Sequence, residues 1–171
     1  MGVHRILQLG DPILRQPSRP VGSIPGARGV LIDLRDTLHD FRRTHGFGRA
    51  ISAIQIGVAV RVIYLEYEGA EFRMLNPEYE WLSEEKFQLW DDCFSFPDLL
   101  VWLERSQSLR LRYLDEHNQT QTLDASGPLA ELIQHEMDHL EGILAVDRAI
   151  GPNGLATRQQ WTRMQSEVFS R

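Results

Sequence analysis

The stretch Gln134-His135-Glu136-Met137-Asp138-His139-Leu140-Glu141-Gly142 places two histidines four residues apart, with a glutamate directly after the first. On a helix His135 and His139 share one face, where their imidazoles can close on a single metal ion. Glu136 then stands where a carboxylate reaches a metal-bound water without ligating the metal itself. Gly127-Pro128 opens the helix, since a proline in the first turn gives up an N–H that has no intrahelical partner. The spacing predicts a stop near Gly142, so about 14 residues span about 21 Å. Leu132, Ile133 and Leu140 give the helix apolar positions to pack, which disfavours a solvated helix that merely carries two histidines.

Two histidines leave a catalytic metal site one protein ligand short. Glu141 is too close along the helix, and Glu167 falls in a segment that itself reads as helical. The other candidate is Cys93, the one cysteine in the chain, within Trp90-Asp91-Asp92-Cys93-Phe94-Ser95-Phe96-Pro97. A lone cysteine is ordinarily a small buried apolar residue. Beside an unfinished histidine pair, a thiolate ligand is the better reading.

Outward from this helix, Gly10-Asp11-Pro12 and residues 17–25 read as an irregular arm rich in turn formers. Val30, Leu31, Leu34, Leu38 and Phe41 recur at helical spacing, and Gly46 closes that helix behind Arg42, Arg43 and His45. Residues 61–65 read as a strand, and 71–75 and 79–89 as further strand candidates interrupted by Asn76-Pro77. Leu109, Leu111 and Tyr113 alternate with Arg110 and Arg112, and the turn Asp115-Glu116-His117-Asn118 makes a hairpin with residues 120–123. A last helix is predicted over 155–169, with Trp161, Met164 and Val168 on one face. The order predicts an α+β fold, antiparallel β-sheets packed around the central helix of residues 135–139, with a C-terminal helix. At 171 residues, without repeat or linker, the chain reads as a single domain over 1–171.

Composition narrows the function classes. Hydrophobic residues are 42% and charged residues 25%, so an ordinary core can form and a disordered or collagen-like chain is excluded. The net charge of −6, without a basic block, argues against stable nucleic-acid binding. No apolar run approaches the ~20 residues of a membrane span. The first residues lack the apolar stretch of a signal peptide and the one cysteine has no partner, so a cytoplasmic protein is expected.

Three motifs in this order resemble the peptide deformylase family, whose members commonly carry GxGLAAxQ, then EGCLS, then HExxH. The third stands intact as His135 to His139. The second stands as Asp91-Asp92-Cys93-Phe94-Ser95, and the first as Gly48-Arg49-Ala50-Ile51-Ser52-Ala53-Ile54-Gln55. The opening Gly10-Asp11-Pro12-Ile13-Leu14-Arg15 and Arg105 also match the pattern, closely over 1–150 and loosely beyond. Where the family has Gly, Leu and Ala in the first motif, this chain has Ala50, Ile51 and Ser52, small-for-small changes; Asp92 replaces the second motif's Gly.

The resemblance implies that Cys93, His135 and His139 hold one divalent ion, Fe2+ natively, with Zn2+, Ni2+ or Co2+ as alternatives in the purified protein. It implies Glu136 as general base on a metal-bound water, and the Gln55 side-chain amide and Phe94 backbone N–H as donors to the oxyanion. Gln55 within an apolar run is otherwise a satisfied structural amide. Asp91 and Arg105 are expected to form a structural ion pair. The implied substrate is an N-formylmethionyl peptide or nascent chain, with transient ribosome contact and no membrane. Gly48, Arg49, Ala50 and Glu131 fall at the implied substrate pocket. Glu131, one turn before His135 and about 40° from it, is expected either to be solvated in the first turn or to face Arg49 across the pocket mouth and weaken selection for Met. Two other functions stay open: a different amidase or peptidase on the same metal, and a metal-holding relative that binds without catalysis.

Overall fold

The computed structural model describes residues 2–169, with side chains through Glu167. The first long element is helix α1 (Ile24–His45), which buries Ala27, Leu31, Leu34, Leu38 and Phe41 along one stripe. It starts inside the arm that reads as irregular, because Pro25 sits in the first turn where a missing N–H costs nothing. Gly46, at φ 80°, ends it by donating its N–H to the Arg42 carbonyl, and Arg42, Arg43 and His45 oppose the negative end of the dipole.

Eight strands follow: β1 (Ala50–Ser52), β2 (Val62–Tyr67), β3 (Ala70–Leu82), β4 (Lys86–Asp92), β5 (Leu99–Ser106), β6 (Ser108–Leu114), β7 (Thr120–Ser126) and β8 (Leu155–Thr157). They form an antiparallel five-stranded sheet in the order β1-β2-β3-β6-β7 and an antiparallel three-stranded sheet β4-β5-β8. Helix α2 (Pro128–Leu140) packs against β1 and β7 of the first sheet and β5 of the second, and helix α3 (Arg158–Phe169) follows β8.

The expected α+β architecture is therefore present, with four local differences. Asn76-Pro77 does not interrupt the strand. Asn76 takes φ 50° and the pairing with β6 shifts register there, so a bulge absorbs the proline that could not donate to a regular ladder. Val21 exchanges two hydrogen bonds with the Asn76 side chain, at 2.7 and 3.1 Å, and holds the bulge. The expected strand 79–89 is two strands, broken at Ser83-Glu84-Glu85. Strand β5 lacks polar alternation because most of its residues are buried, Arg105 and Ser106 among them. Residues 155–157 form an edge strand on β5, and the last helix begins only at Arg158; the Val168 side chain lies outside the described residues.

Every residue of α2 from Ala130 to Leu140 is buried. Its apolar residues Ala130, Leu132, Ile133, Met137 and Leu140 pack with Ile63, Leu65, Met74, Leu109 and Leu111 of the larger sheet. The buried polar residues need partners, because an unpaired polar group away from water costs ~1–3 kcal/mol. Gln134 illustrates the solution: its Oε1 accepts from the Ser106 N–H at 2.9 Å, and its Nε2 donates to the Ser106 carbonyl at 2.9 Å. Gln134→Leu strands both backbone groups, and we expect it to lower unfolding stability in urea by about 2 kcal/mol or more.

Candidate metal centre

Cys93 follows the end of β4 in a tight turn, where the Phe96 N–H donates to the Cys93 carbonyl at 3.1 Å and the Ser95 N–H approaches Sγ at 3.4 Å. This turn is braced against α1, since the Phe94 ring stacks on Phe41 with centroids 3.9 Å apart. Gly48 makes room for that ring. A Cβ there would lie 2.3 Å from Phe94, and its φ of 123° is closed to most side chains. Cys93 Sγ thereby reaches 3.3 Å from His139 Nε2.

The ligand atoms of Cys93, His135 and His139 all lie within 4.8 Å of one another, and all three residues are buried. A tetrahedral ion with bonds of about 2.0–2.3 Å to nitrogen and sulfur separates its donors by about 3.5 Å, so the donor set fits one. His135 Nδ1 faces both oxygens of Asp91, at 3.0 and 2.9 Å, which directs Nε2 toward the cysteine side. Burial works against a charged His135, yet Asp91 and Cys93 outweigh it and hold the imidazole well above its usual value. Surroundings that favour a proton on that ring also favour a cation in its place. Burial, and then His135, push His139 well below the usual imidazole range, leaving a neutral ring with a lone pair to offer. His139 Nδ1 is buried without a hydrogen-bond partner.

Asp91 does more than the expected ion pair. It accepts from Arg105 Nη2 at 3.1 Å as well as facing His135. Burial would raise its pKa, but the charges on His135 and Arg105 prevail and keep it below the ordinary carboxylate range. Arg105 also reaches Asp138, which Arg148 grips from the other side with two bonds of 2.6 Å. Residues 91, 105, 138 and 148 thus form one network, and one of its carboxylates orients a histidine of the cluster.

Glu136 and Gln55 stand beside this cluster. Glu136 is buried, which pushes its carboxyl pKa up. Gln55 Oε1 accepts from the Ser52 N–H at 3.0 Å, so the carbonyl end of the amide is held structurally. Its Nε2 points the other way, 3.6 Å from Cys93 Sγ and 3.2 Å from Ser95 Oγ. Among the described residues no group accepts from the Phe94 N–H.

Cys93, His135, Glu136 and Gln55 line a cavity of about 450 Å³ that also includes Gly48, Arg49, Ala50 and Glu131. Glu131 is buried rather than solvated, and its Oε2 lies 3.2 Å from Arg49 Nη2, whose side chain is 46% exposed. Burial, followed by the Asp91 charge, pushes the Glu131 carboxyl up to about 7. Asp92 also lines the cavity and accepts from Arg158 of α3 at 2.8 Å. Arg158 in turn lies 3.9 Å over the Phe47 ring. Sequence reasoning missed two contacts at this site: the Asp91 bond to His135 and the hydroxyl of Ser52, which reaches Glu136. That a ligating histidine's second nitrogen meets a carboxylate is a general rule, and it would have made Asp91 one candidate among several; nothing in the sequence pointed to the hydroxyl.

Comparison with known proteins follows the same line. The family model described as polypeptide deformylase matches residues 3–153. A peptide deformylase of Hyphomonas neptunium is 39% identical over 154 residues, covering 86% of this chain and 85% of that protein. One from Bartonella tribocorum is 36% identical over 154 residues, covering 86% and 84%. Among solved structures, the peptide deformylase of Thermotoga maritima superposes with a TM-score of 0.82 at 27% identity, covering 88% of this chain and all of that one. That of Synechococcus elongatus in complex with actinonin gives 0.80 at 32% identity, covering 86% and 79%. A family match running through residues 3–153, together with a shared backbone, leaves one assignment, and the chain belongs to the peptide deformylase family.

Proposed function

We propose that this chain is a metal-dependent hydrolase that removes the formyl group from N-formylmethionyl ends of newly made polypeptides, with transient contact at the ribosome where they emerge. The observation that carries this reading is the convergence of one thiol and two imidazoles on one point, with a buried carboxyl and a side-chain amide beside them. Cys93, His135 and His139 would hold one divalent ion, which when bound would supply Lewis acidity to a water and to the formyl group. Thiolate and imidazole donors suit Fe2+ and Zn2+ alike; Fe2+ rests on the family resemblance.

The chain's own residues supply the rest. Glu136 accepts a proton from the attacking water and returns it to the departing amine. Gln55 Nε2 and the Phe94 N–H donate to the oxygen that gains charge, fixed dipoles that need no rearrangement as the reaction proceeds. Asp91 keeps the His135 ring aimed. Among the described residues no helix is long and apolar enough to cross a membrane.

The Arg49–Glu131 pair favours a second reading, within the same reaction, of what the cavity accepts. A methionine thioether is only a weak acceptor and offers Glu131 no donor, so pressing it against the pair removes water from both groups with little in return. The half-exposed pair is worth only ~0–1 kcal/mol to stability, so its effect belongs to specificity. Gly48 and Ala50 keep the backbone beside this pair close to the substrate.

The parent protein, loaded with Fe2+, is expected to release formate from formyl-Met-Ala-Ser, and absence of release from any formyl peptide overturns the proposed activity. Replacing Cys93, His135 or His139 by Ala should each abolish stoichiometric metal by elemental analysis, and a full equivalent in Cys93→Ala would remove that residue from the ligand set. Glu136→Gln should keep its metal while turnover falls ~10²-fold or more; parental turnover would mean another group is the base. Glu131→Leu should raise the preference for formyl-Met over formyl-Gln and formyl-Lys peptides, whereas an unchanged preference places Glu131 out of reach of the substrate.

A further inference from the structure

Ser52 is fully buried at the end of β1, and its hydroxyl lies 2.5 Å from Glu136 Oε2 and 3.1 Å from the Glu136 backbone carbonyl. A hydroxyl carries one proton, and the carboxylate that acts as base in the proposed reaction has none to give, so Ser52 donates. The shorter contact has the length of a charge-assisted O–H···O⁻ bond and takes that proton. Among the described residues no hydrogen bond reaches the other oxygen, Oε1, and Glu136 lines the cavity together with Gln55, Cys93 and His135.

We propose that Ser52 is a positioning residue that locks Glu136 by one oxygen, so that the other alone exchanges protons with the reactants. The inference rests on the deformylase reading above. In that reaction Oε1 takes a proton from water as the water oxygen bonds to the formyl carbon. It gives that proton to the amide nitrogen as the C–N bond breaks, releasing a free amine and formic acid, which ionises to formate. Ser52 keeps its own proton throughout. Small size at this position would be met equally by alanine; only the hydroxyl fixes the carboxylate.

The same residue has a separate backbone task, since its N–H holds Gln55 Oε1 at 3.0 Å. Ser52→Ala leaves that bond in place and removes the hydroxyl alone, without adding bulk to the core. A side chain that points the base wrongly should slow the chemical step and spare binding, because displacements on the scale of 1 Å can cost orders of magnitude in rate.

The test compares the metal-loaded parent, Ser52→Ala, Glu136→Gln and the double variant on formyl-Met-Ala-Ser. The crystal structure of metal-loaded Ser52→Ala is determined alongside. We expect kcat of Ser52→Ala to fall about tenfold or more with KM and metal content unchanged. In the Glu136→Gln background the same substitution should cost nothing further, since the base it positions is gone. The Glu136 carboxylate should turn away or occupy two conformers in the crystal. Parental kcat, or an equal fold-loss in both backgrounds, overturns the proposal, as does a carboxylate left unmoved whatever the rates. A parent inactive on every formyl peptide defeats the deformylase reading by itself, and the carboxylate in the Ser52→Ala crystal still decides the role of Ser52.

Discussion

A helix buried on all sides while carrying six polar side chains, Glu131, Gln134, His135, Glu136, Asp138 and His139, imposes the constraint that organises this molecule. Each must find a partner or cost stability, and charged members most of all. The partners come from different parts of the chain. Arg49 precedes β1, Ser52 ends it, Asp91 lies on β4, Arg105 and Ser106 on β5, and Arg148 follows α2. Satisfying the helix therefore fixes both sheets relative to it.

The bonds that satisfy α2 also prepare its chemistry. Asp91 stands between Arg105 and His135, so its charge is stabilised by one and spent orienting the other. Gln55 is held by its carbonyl end and leaves its donor end toward Cys93. Side chains held by such bonds have few orientations open to them, and held dipoles are what the proposed stabilisation of a developing charge requires. The same economy explains the strict need for glycine at position 48, where backbone and Phe94 ring occupy the space of a side chain.

Two ion pairs at and beside the cavity depart from this pattern. Arg49, Glu131, Asp92 and Arg158 are charged residues in two ion pairs, Arg49–Glu131 and Arg158–Asp92, and three of the four are partly exposed. Pairs of this kind contribute little to stability. Arg158 also ties the start of α3 to Asp92 and to the Phe47 ring, linking the last helix to the turn that carries Cys93.

Local periodicity determined a good part of this protein from the sequence alone. The apolar stripe of α1, the hairpin of β6 and β7, and the shared face of His135 and His139 all follow from spacings within a few residues, because a helix or hairpin repeats its geometry locally. The residues themselves pointed to Glu136 and Cys93, the resemblance named Gln55 and Phe94 and brought Arg49 to the implied pocket, and helical geometry put Glu131 on the side of His135. Tertiary structure alone decided the rest. Strand β8 exists because β5 offers it an edge, and the bulge that absorbs Pro77 is held by Val21 from a distant part of the chain. Ser52 meets Glu136 across 84 residues of chain, and Asp91 meets His135 across 44. Such pairs are set by how two sheets close over one buried helix, and no periodicity within either segment encodes which hydroxyl or carboxylate the closure will bring into reach.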